Sequence, residues 1–112
     1  MSLKRISAYR IMWLFVFFDL PTNTKKERKI AAGFRKKLLE DGFSMMQYSV
    51  YVRHCASKES AEVHQKRTVA IIPSRGQVSI LQITDKQYES ILNFWGKDDP
   101  PPPPAPKQLE MF

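Results

Sequence analysis

Residues 11–18 form the longest apolar run of this chain, and this run restricts the folds that the sequence can adopt. Aromatic and β-branched residues without polar alternation are typical of a strand that is covered on both faces and lies centrally in its sheet. The run is too short to span a bilayer, and no signal-peptide pattern precedes it. We therefore expect an intracellular, cytoplasmic protein with no membrane association.

A helix is predicted directly after this strand. Leu20-Pro21 ends the strand, because proline cannot donate to the ladder of hydrogen bonds. Thr24 and Glu27 have the spacing of a capping box, and Gly42 is suited to a left-handed stop, so the helix should run from about residue 25 to 41. At 100° per residue its apolar stripe consists of Ile30, Phe34 and Leu38, with Ala31 on the flank.

The middle of the chain predicts two strands and a second helix. Residues 43–54 are aromatic and β-branched, which favours a short strand near 43–47 and a longer one near 49–54, although no Gly or Asn marks a turn between them. The second helix should run from about 57 to 70. After the turn at 73–76, a strand is expected at Gln77–Thr84.

The last part of the folded region offers alternatives. Thr84 and Gln87 have capping-box spacing and predict a short helical turn. Residues 91–95 are either a further, fifth strand or an extension of that turn. From residue 98 a run of prolines predicts an extended tail without core residues, ending in the small amphipathic tip 108–112.

The predicted order of elements is β-α-β-β-α-β, which is the split βαβ pattern of the ferredoxin-like fold. We therefore predict an α+β sandwich with an antiparallel sheet, in which the first strand is central and antiparallel to the third and fourth. One domain should cover residues 1–97, and the proline-rich tail residues 98–112. The single cysteine, Cys55, excludes an intramolecular disulfide framework and a multi-cysteine zinc site.

The charge of the chain is concentrated in its first half. Residues 1–56 hold eleven Lys and Arg against four acidic residues, whereas residues 57–112 hold seven of each. A concentrated cationic surface attracts a polyanion, and a face made only for solubility would normally mix both signs. We therefore predict that the first helix faces the phosphates of a nucleic acid, through Lys25, Lys26, Arg28, Lys29, Arg35, Lys36 and Lys37.

Asp19 is the candidate metal ligand. It ends the central strand beside the basic helix, and the antiparallel third strand brings Gln47 and Ser49 to the same end of the sheet, whereas Asp85 falls at the opposite end. Mg²⁺ keeps several waters and needs one or two carboxylates besides substrate phosphates, so a symmetric dimer would have to supply a second Asp19. Ser49 or Tyr51 is a candidate for orienting the substrate. The alternative is that Asp19 caps the following turn.

Other chemistry has weaker support. The chain lacks enough Cys and His for a zinc site, so His54, Cys55 and His64 are expected to pack or lie on the surface. A single-stranded RNA-binding module that stacks bases on its sheet remains an alternative, although the RNA-recognition signature is absent. The aromatic residues singled out as core are Trp13, Phe17, Phe18, Tyr51 and Trp95.

Several segments together resemble the Cas2 family of small universal CRISPR adaptation proteins, in particular members that accompany type II systems. They are the strand ending in Phe-Phe-Asp19-Leu-Pro, the basic first helix, the stretch from Gly42 to Cys55 and Ile83-Thr-Asp-Lys-Gln87. The similarity covers roughly residues 8–97 and keeps the order of elements.

This resemblance implies a ferredoxin-like homodimer that bridges two dimers of the CRISPR integrase during spacer acquisition, a step of antiviral defence in prokaryotes. The assembly would bind short double-stranded DNA. The resemblance also implies a metal-dependent endonuclease acting on single-stranded RNA or double-stranded DNA, with Mg²⁺ held by the aspartate that ends the first strand. Asp19 is the matching residue, as catalytic residue and metal ligand.

Overall fold

The computed structural model describes residues 11–99. Most of the predicted tail, from residue 100 onward, and the first ten residues lie outside this range. Along the described part the chain forms β1 (Met12–Asp19), α1 (Lys25–Glu40), β2 (Ser44–Gln47), β3 (Val50–Cys55), α2 (Lys58–Ala70), β4 (Gln77–Thr84) and α3 (Asp85–Glu89).

The four strands form one sheet in the order β2-β3-β1-β4, with every neighbouring pair antiparallel. The predicted ferredoxin-like α+β fold with β1 in the centre is therefore confirmed. β1 pairs with β4 along its whole length, from Met12 opposite Thr84 to Asp19 opposite Gln77. The two edges differ, because β4 has eight residues whereas β2 has four and a register shift.

The predicted start and end of α1 are both confirmed. The Thr24 hydroxyl accepts a hydrogen bond from the Glu27 amide at 3.1 Å, and the Glu27 carboxylate accepts one from the Thr24 amide at 2.9 Å. This reciprocal pair satisfies amide groups that have no partner within the helix. At the other end Gly42 has a φ of +91°, in the left-handed region that favours glycine.

The core lies between one face of the sheet and the two long helices. Leu14, Val16 and Phe18 alternate along β1 and point into it, as β-strand geometry requires. Helix α1 contributes Ala31, Phe34 and Leu38 to the same core. The prediction that Ile30 belongs to this stripe is wrong: Ile30 is 45% exposed. It lies beside Leu20 and Pro73, at the rim where α1 starts.

The other face of the sheet is only partly covered in the chain by itself. The residues of β1 that point to this open face are Trp13, Phe15 and Phe17. Helix α3 covers Trp13 by stacking Tyr88 on it, with the ring centroids 3.6 Å apart, but Phe17 is 37% exposed. Phe15 is 4% exposed, so within residues 11–99 this face of β1 is covered except at Phe17 and Asp19, and the expectation that Phe17 is a core residue is not met there.

The segment after α3 also differs from the prediction. Residues 91–96 form neither a fifth strand nor a continuation of the helix, and Trp95, expected in the core, is 49% exposed. Phe94 is 85% exposed. Within residues 11–99, no helix has the length and apolar character needed to cross a membrane.

Candidate nucleic-acid interface and carboxylate site

Helix α1 presents its cationic side chains away from the core. With Ala31, Phe34 and Leu38 buried, the 100° step between residues places Lys25, Lys29 and Lys36 on the side that faces directly away from the sheet. All three are exposed, as are Lys26, Arg28 and Lys37.

None of these cations is neutralised within the part of the chain that the structure describes. The ion pairs there are Asp41 with His64, Asp41 with Arg67, and Glu27 with Arg75 at 3.8 Å, and none of them involves the seven basic residues predicted on α1. A surface kept cationic in this way is suited to a polyanionic ligand.

Arg35 differs from the other six. It is partly buried, and its guanidinium carbon lies 4.2 Å from the ring centroid of Tyr48 and 5.8 Å from that of Phe18. Both distances are in the range of cation–π contacts. Arg35 therefore packs against aromatic rings, whereas the other six cations are exposed.

Asp19 lies at the end of β1 with its carboxylate exposed. Alternation along the strand places it on the open face, with Phe17. No residue from 11 to 99 makes a hydrogen bond or ion pair with this carboxylate, so the alternative in which Asp19 caps the following turn is not formed. The carboxylate is available to a ligand.

The sheet register brings polar groups to Asp19. Asp19 lines a shallow groove with Ser49, Gln77 and Ser79. Ser49 is fixed there because its carbonyl accepts a hydrogen bond from the Phe18 amide at 3.0 Å. The sequence analysis missed Gln77 and Ser79, although the antiparallel pairing of β1 with β4 would have placed Gln77 opposite Asp19.

The two other predicted neighbours of Asp19 are placed differently. Tyr51 is buried in the core and packs its ring against Phe18, on the face of the sheet opposite to Asp19. Burial raises the pKa of its hydroxyl, and the nearby charges of Arg35 and Tyr48 act in opposite directions on it. Gln47 is exposed at the end of β2, across β3 from β1. The structure does not bring Tyr51 to Asp19.

One chain supplies too few ligands for a firmly held metal ion. Within residues 11–99 no group of three or more His, Cys, Asp or Glu could hold one. Asp85 lies at the opposite end of the sheet, as predicted, where it accepts a hydrogen bond from the Trp13 indole at 2.7 Å. The donors around Asp19 are nevertheless carboxylate, hydroxyl and amide oxygens, which are the kind that Mg²⁺ prefers. They fit a hydrated Mg²⁺ that takes its remaining ligands from elsewhere.

A second polar cluster joins the two long helices and was missed by the sequence analysis. Asp41, the C-terminal cap of α1, accepts hydrogen bonds from His64 at 2.7 Å and from Arg67 at 2.9 Å, both on α2. Burial raises the pKa of Asp41, but the hydrogen bonds and charges of His64 and Arg67 outweigh it, so the pKa lies below 3.8. Asp41 is 23 positions from His64 and 26 from Arg67, so no local pattern reveals the cluster.

The other candidate residues have structural positions. Cys55 is buried, and burial raises the pKa of its thiol, which keeps it protonated and unreactive. His54 packs edge-on against Trp13, with ring centroids 5.0 Å apart. His64 is buried against Asp41. All three residues pack within the fold, as expected.

The comparisons with known proteins identify the family. The fold is an α+β sandwich. Its candidate sites are a cationic helix and, at the end of the central strand, a carboxylate with no partner among residues 11–99. The CRISPR associated protein Cas2 family model matches residues 12–91. The chain belongs to this family.

Similar proteins cover nearly the whole chain. A CRISPR-associated endoribonuclease Cas2 of Flavobacterium psychrophilum is 54% identical over 108 residues, which are 96% of this chain and 94% of that protein. One of Parvibaculum lavamentivorans is 56% identical over 101 residues, 90% of this chain and all of that protein. A crystal structure of Cas2 matches with a TM-score of 0.57 and 21% identity, covering 85% of this chain and 98% of that one, which supports the fold.

Proposed function

We propose that this protein is the double-stranded-DNA-binding subunit of a CRISPR adaptation complex, in which a homodimer bridges two dimers of the integrase. The observation that carries the proposal is the cationic surface of α1, which no ion pair among the described residues neutralises. Lysines and arginines on a helix surface contact phosphates without reading bases. The binding should therefore be indifferent to sequence and should weaken steeply with salt.

The placement of the two candidate sites suits a dimer. Helix α1 packs on one face of the sheet, whereas Asp19 points to the open face with the exposed ring of Phe17. A symmetric dimer that covers the open face would leave both copies of α1 on its outside and bring two Asp19 carboxylates to one interface. The phosphate surface and the carboxylate site would then be separate.

The test is a charge reversal with a matched control. The variant Lys25→Glu, Lys29→Glu, Lys36→Glu reverses the row of α1 that faces directly away from the core. The control, Lys58→Glu, Lys66→Glu, Lys86→Glu, changes three exposed lysines of α2 and α3 and alters the net charge equally. We expect the α1 variant to lose measurable binding to a fluorescent 30-base-pair duplex and the control to keep most of it. Equal losses in both variants would contradict the proposal.

A second proposed function is hydrolysis of phosphodiester bonds that depends on Mg²⁺, with single-stranded RNA as the first substrate to test. Asp19 is exposed in the groove with Ser49 and Ser79 and has no hydrogen-bond or ion-pair partner within residues 11–99, which favours this function. The two relatives above carry the name endoribonuclease. Asp19 of each protomer would hold the ion, with the hydroxyls of Ser49 and Ser79 orienting the phosphate. A bound Mg²⁺ would lower the pKa of an attacking water and polarise the phosphate.

Asp19→Asn keeps the shape of the side chain and removes its charge, so it should abolish the cleavage of a labelled RNA. Asp98→Asn makes the same change at an exposed site away from the groove and should leave the cleavage unchanged. Cleavage that survives Asp19→Asn would assign the activity to another site or to a contaminant. DNA binding by α1 should be the same in all three proteins, since the two sites lie on opposite faces.

A further inference from the structure

The side chain of Arg35 is set apart from its neighbours on α1 by its surroundings. Its guanidinium lies between Tyr48 and Phe18, and its Nε is buried without a hydrogen bond to any residue from 11 to 99. No carboxylate in that range pairs with it. A partly desolvated cation without a counterion is costly, unless a ligand supplies the negative charge.

The stacking leaves the guanidinium suited to bind an anion. Its contacts are with ring faces, which do not use the N–H groups at the edge of the plane. Because Nε is buried, the fork that matches two oxygens of a phosphate has to come from the two Nη groups. Because the rings already fix the side chain, less conformational entropy is lost on binding than for a free lysine such as Lys36.

Tyr48 is the exposed residue that contacts the guanidinium of Arg35. It lies in the tight turn between β2 and β3, and its ring is 68% exposed even though one face covers Arg35. Its contact with Arg35 gives it a role.

We propose that Arg35 is the anchoring phosphate contact of the α1 surface and that Tyr48 is a positioning residue, which holds the guanidinium for two-pronged binding of one backbone phosphate. This inference rests on the proposed nucleic-acid binding by α1. It adds that Arg35 contributes most to the binding of phosphate and that its contact with Tyr48 is the reason. It predicts that arginine is required at position 35, whereas a charge alone suffices at position 36.

The experiment measures the affinity for a 30-base-pair duplex and its dependence on salt, for the wild type and single variants. Arg35→Lys keeps the charge but should lower the affinity about tenfold, because the two-pronged contact is lost. Arg35→Gln should also reduce the slope of log K against log salt by about 0.9, the value for one phosphate. Lys66→Arg, a matched control at an exposed lysine of α2 outside this surface, should leave the affinity within about twofold.

The Tyr48 variants separate positioning from a structural role. Tyr48→Leu should lower the affinity about fivefold and reduce the salt slope as Arg35→Gln does, because the guanidinium is no longer held at the phosphate. Tyr48→Phe keeps the ring and should bind as the wild type does. A merely structural role of Tyr48 would lower the melting temperature and leave the salt slope unchanged, which would overturn the inference.

Three further results have distinct meanings. If the triple α1 lysine variant loses binding while Arg35→Lys and Tyr48→Leu bind like the wild type, this inference is overturned and the proposed function stands. If the wild type does not bind the duplex, both are overturned. If Tyr48→Leu weakens only the binding of a single-stranded oligouridine, Tyr48 stacks on bases instead, and the inference is overturned.

Discussion

Helices α1 and α2 cover the same face of the sheet but are held there by different interactions. Helix α1 buries Ala31, Phe34 and Leu38, whereas α2 buries Ala61, His64 and Thr68. The apolar side chains of α1 gain stability simply by leaving water. The buried polar groups of α2 must have hydrogen-bond partners, and Asp41 at the end of α1 supplies one of them.

The outer surfaces of the two helices also differ, in how far their positive charges are compensated by acidic groups. Arg67 of α2 is neutralised by Asp41, and Glu59 and Glu62 are interspersed among its lysines. Helix α1 carries seven cations against Glu27 and Glu40, and no ion pair within residues 11–99 involves any of these cations. The comparison indicates that the core contacts of α1 offset the repulsion between the like charges on its surface.

The largest effect should come from the apolar anchor of α1. Leu38 is 1% exposed, so Leu38→Ala should lower the free energy of unfolding by about 3 kcal/mol, through lost burial and the cavity that remains. Urea unfolding of the wild type and the variant measures this. In α2, Thr68→Val removes only a hydroxyl that donates to the His64 carbonyl, and it should cost less than about 1 kcal/mol. Equal costs would contradict the distinction between the helices.

The entry into α1 should be the next most sensitive point. Gly76 has a φ of +98°, and a β-carbon there would lie 2.7 Å from the carbonyl oxygen of Asp19 and 2.8 Å from the Leu20 side chain. Gly76→Ala should therefore destabilise the protein by about 2 kcal/mol and displace the chain between β1 and α1. Thermal unfolding measures the first effect. Unchanged amide resonances of Asp19 and Leu20 would show that no displacement occurs.

The polar link between the helices should contribute less and should depend on pH. Asp41→Asn removes the carboxylate that His64 and Arg67 share, at a cost of about 1 kcal/mol at neutral pH. Because the pKa of Asp41 is lowered by folding, its contribution is complete well above 3.8 and is lost as the pH falls through the lower, folded-state value. The stabilities of wild type and variant should therefore converge in acid. A constant difference from neutral to acidic pH would contradict this.

The smallest effect should be a gain. Gly33 lies in the middle of α1 with nothing within 4 Å of an added β-carbon. Gly33→Ala should stabilise the protein by about 0.7 kcal/mol, because alanine loses less conformational freedom in a helix. The measurement is the urea midpoint, and duplex affinity serves as the control, which should not change. A loss of affinity would mean that α1 must bend or open to bind.

Local patterns predicted most of the elements correctly. The capping pairs of Thr24 with Glu27 and of Thr84 with Gln87 both form, and β4 has the predicted bounds. These features depend on residues close in sequence, where spacing determines geometry. The weakly marked break between β2 and β3 is also present, at residues 48–49.

The errors arose where contacts distant in sequence decide the outcome. Ile30 has the spacing of a core residue, but its side chain is exposed at the rim beside Leu20 and Pro73, residues that the spacing within one helix does not reveal. The alternation along β3 places Tyr51 towards the helices, a result that depends on a strand register set by pairing with β1. The stack of Tyr48 on Arg35 joins residues of different elements and has no signature in the sequence.

The unequal edges of the sheet limit how copies of this protein can associate. On its outer side β4 offers eight residues of backbone with no partner strand among residues 11–99 and with no charged or proline residue, whereas β2 is short and irregular. The long edge of β4 can pair with one further strand, whereas the short edge of β2 offers few backbone groups for pairing. A further strand that pairs with β4 would leave only the short, irregular edge of β2 exposed.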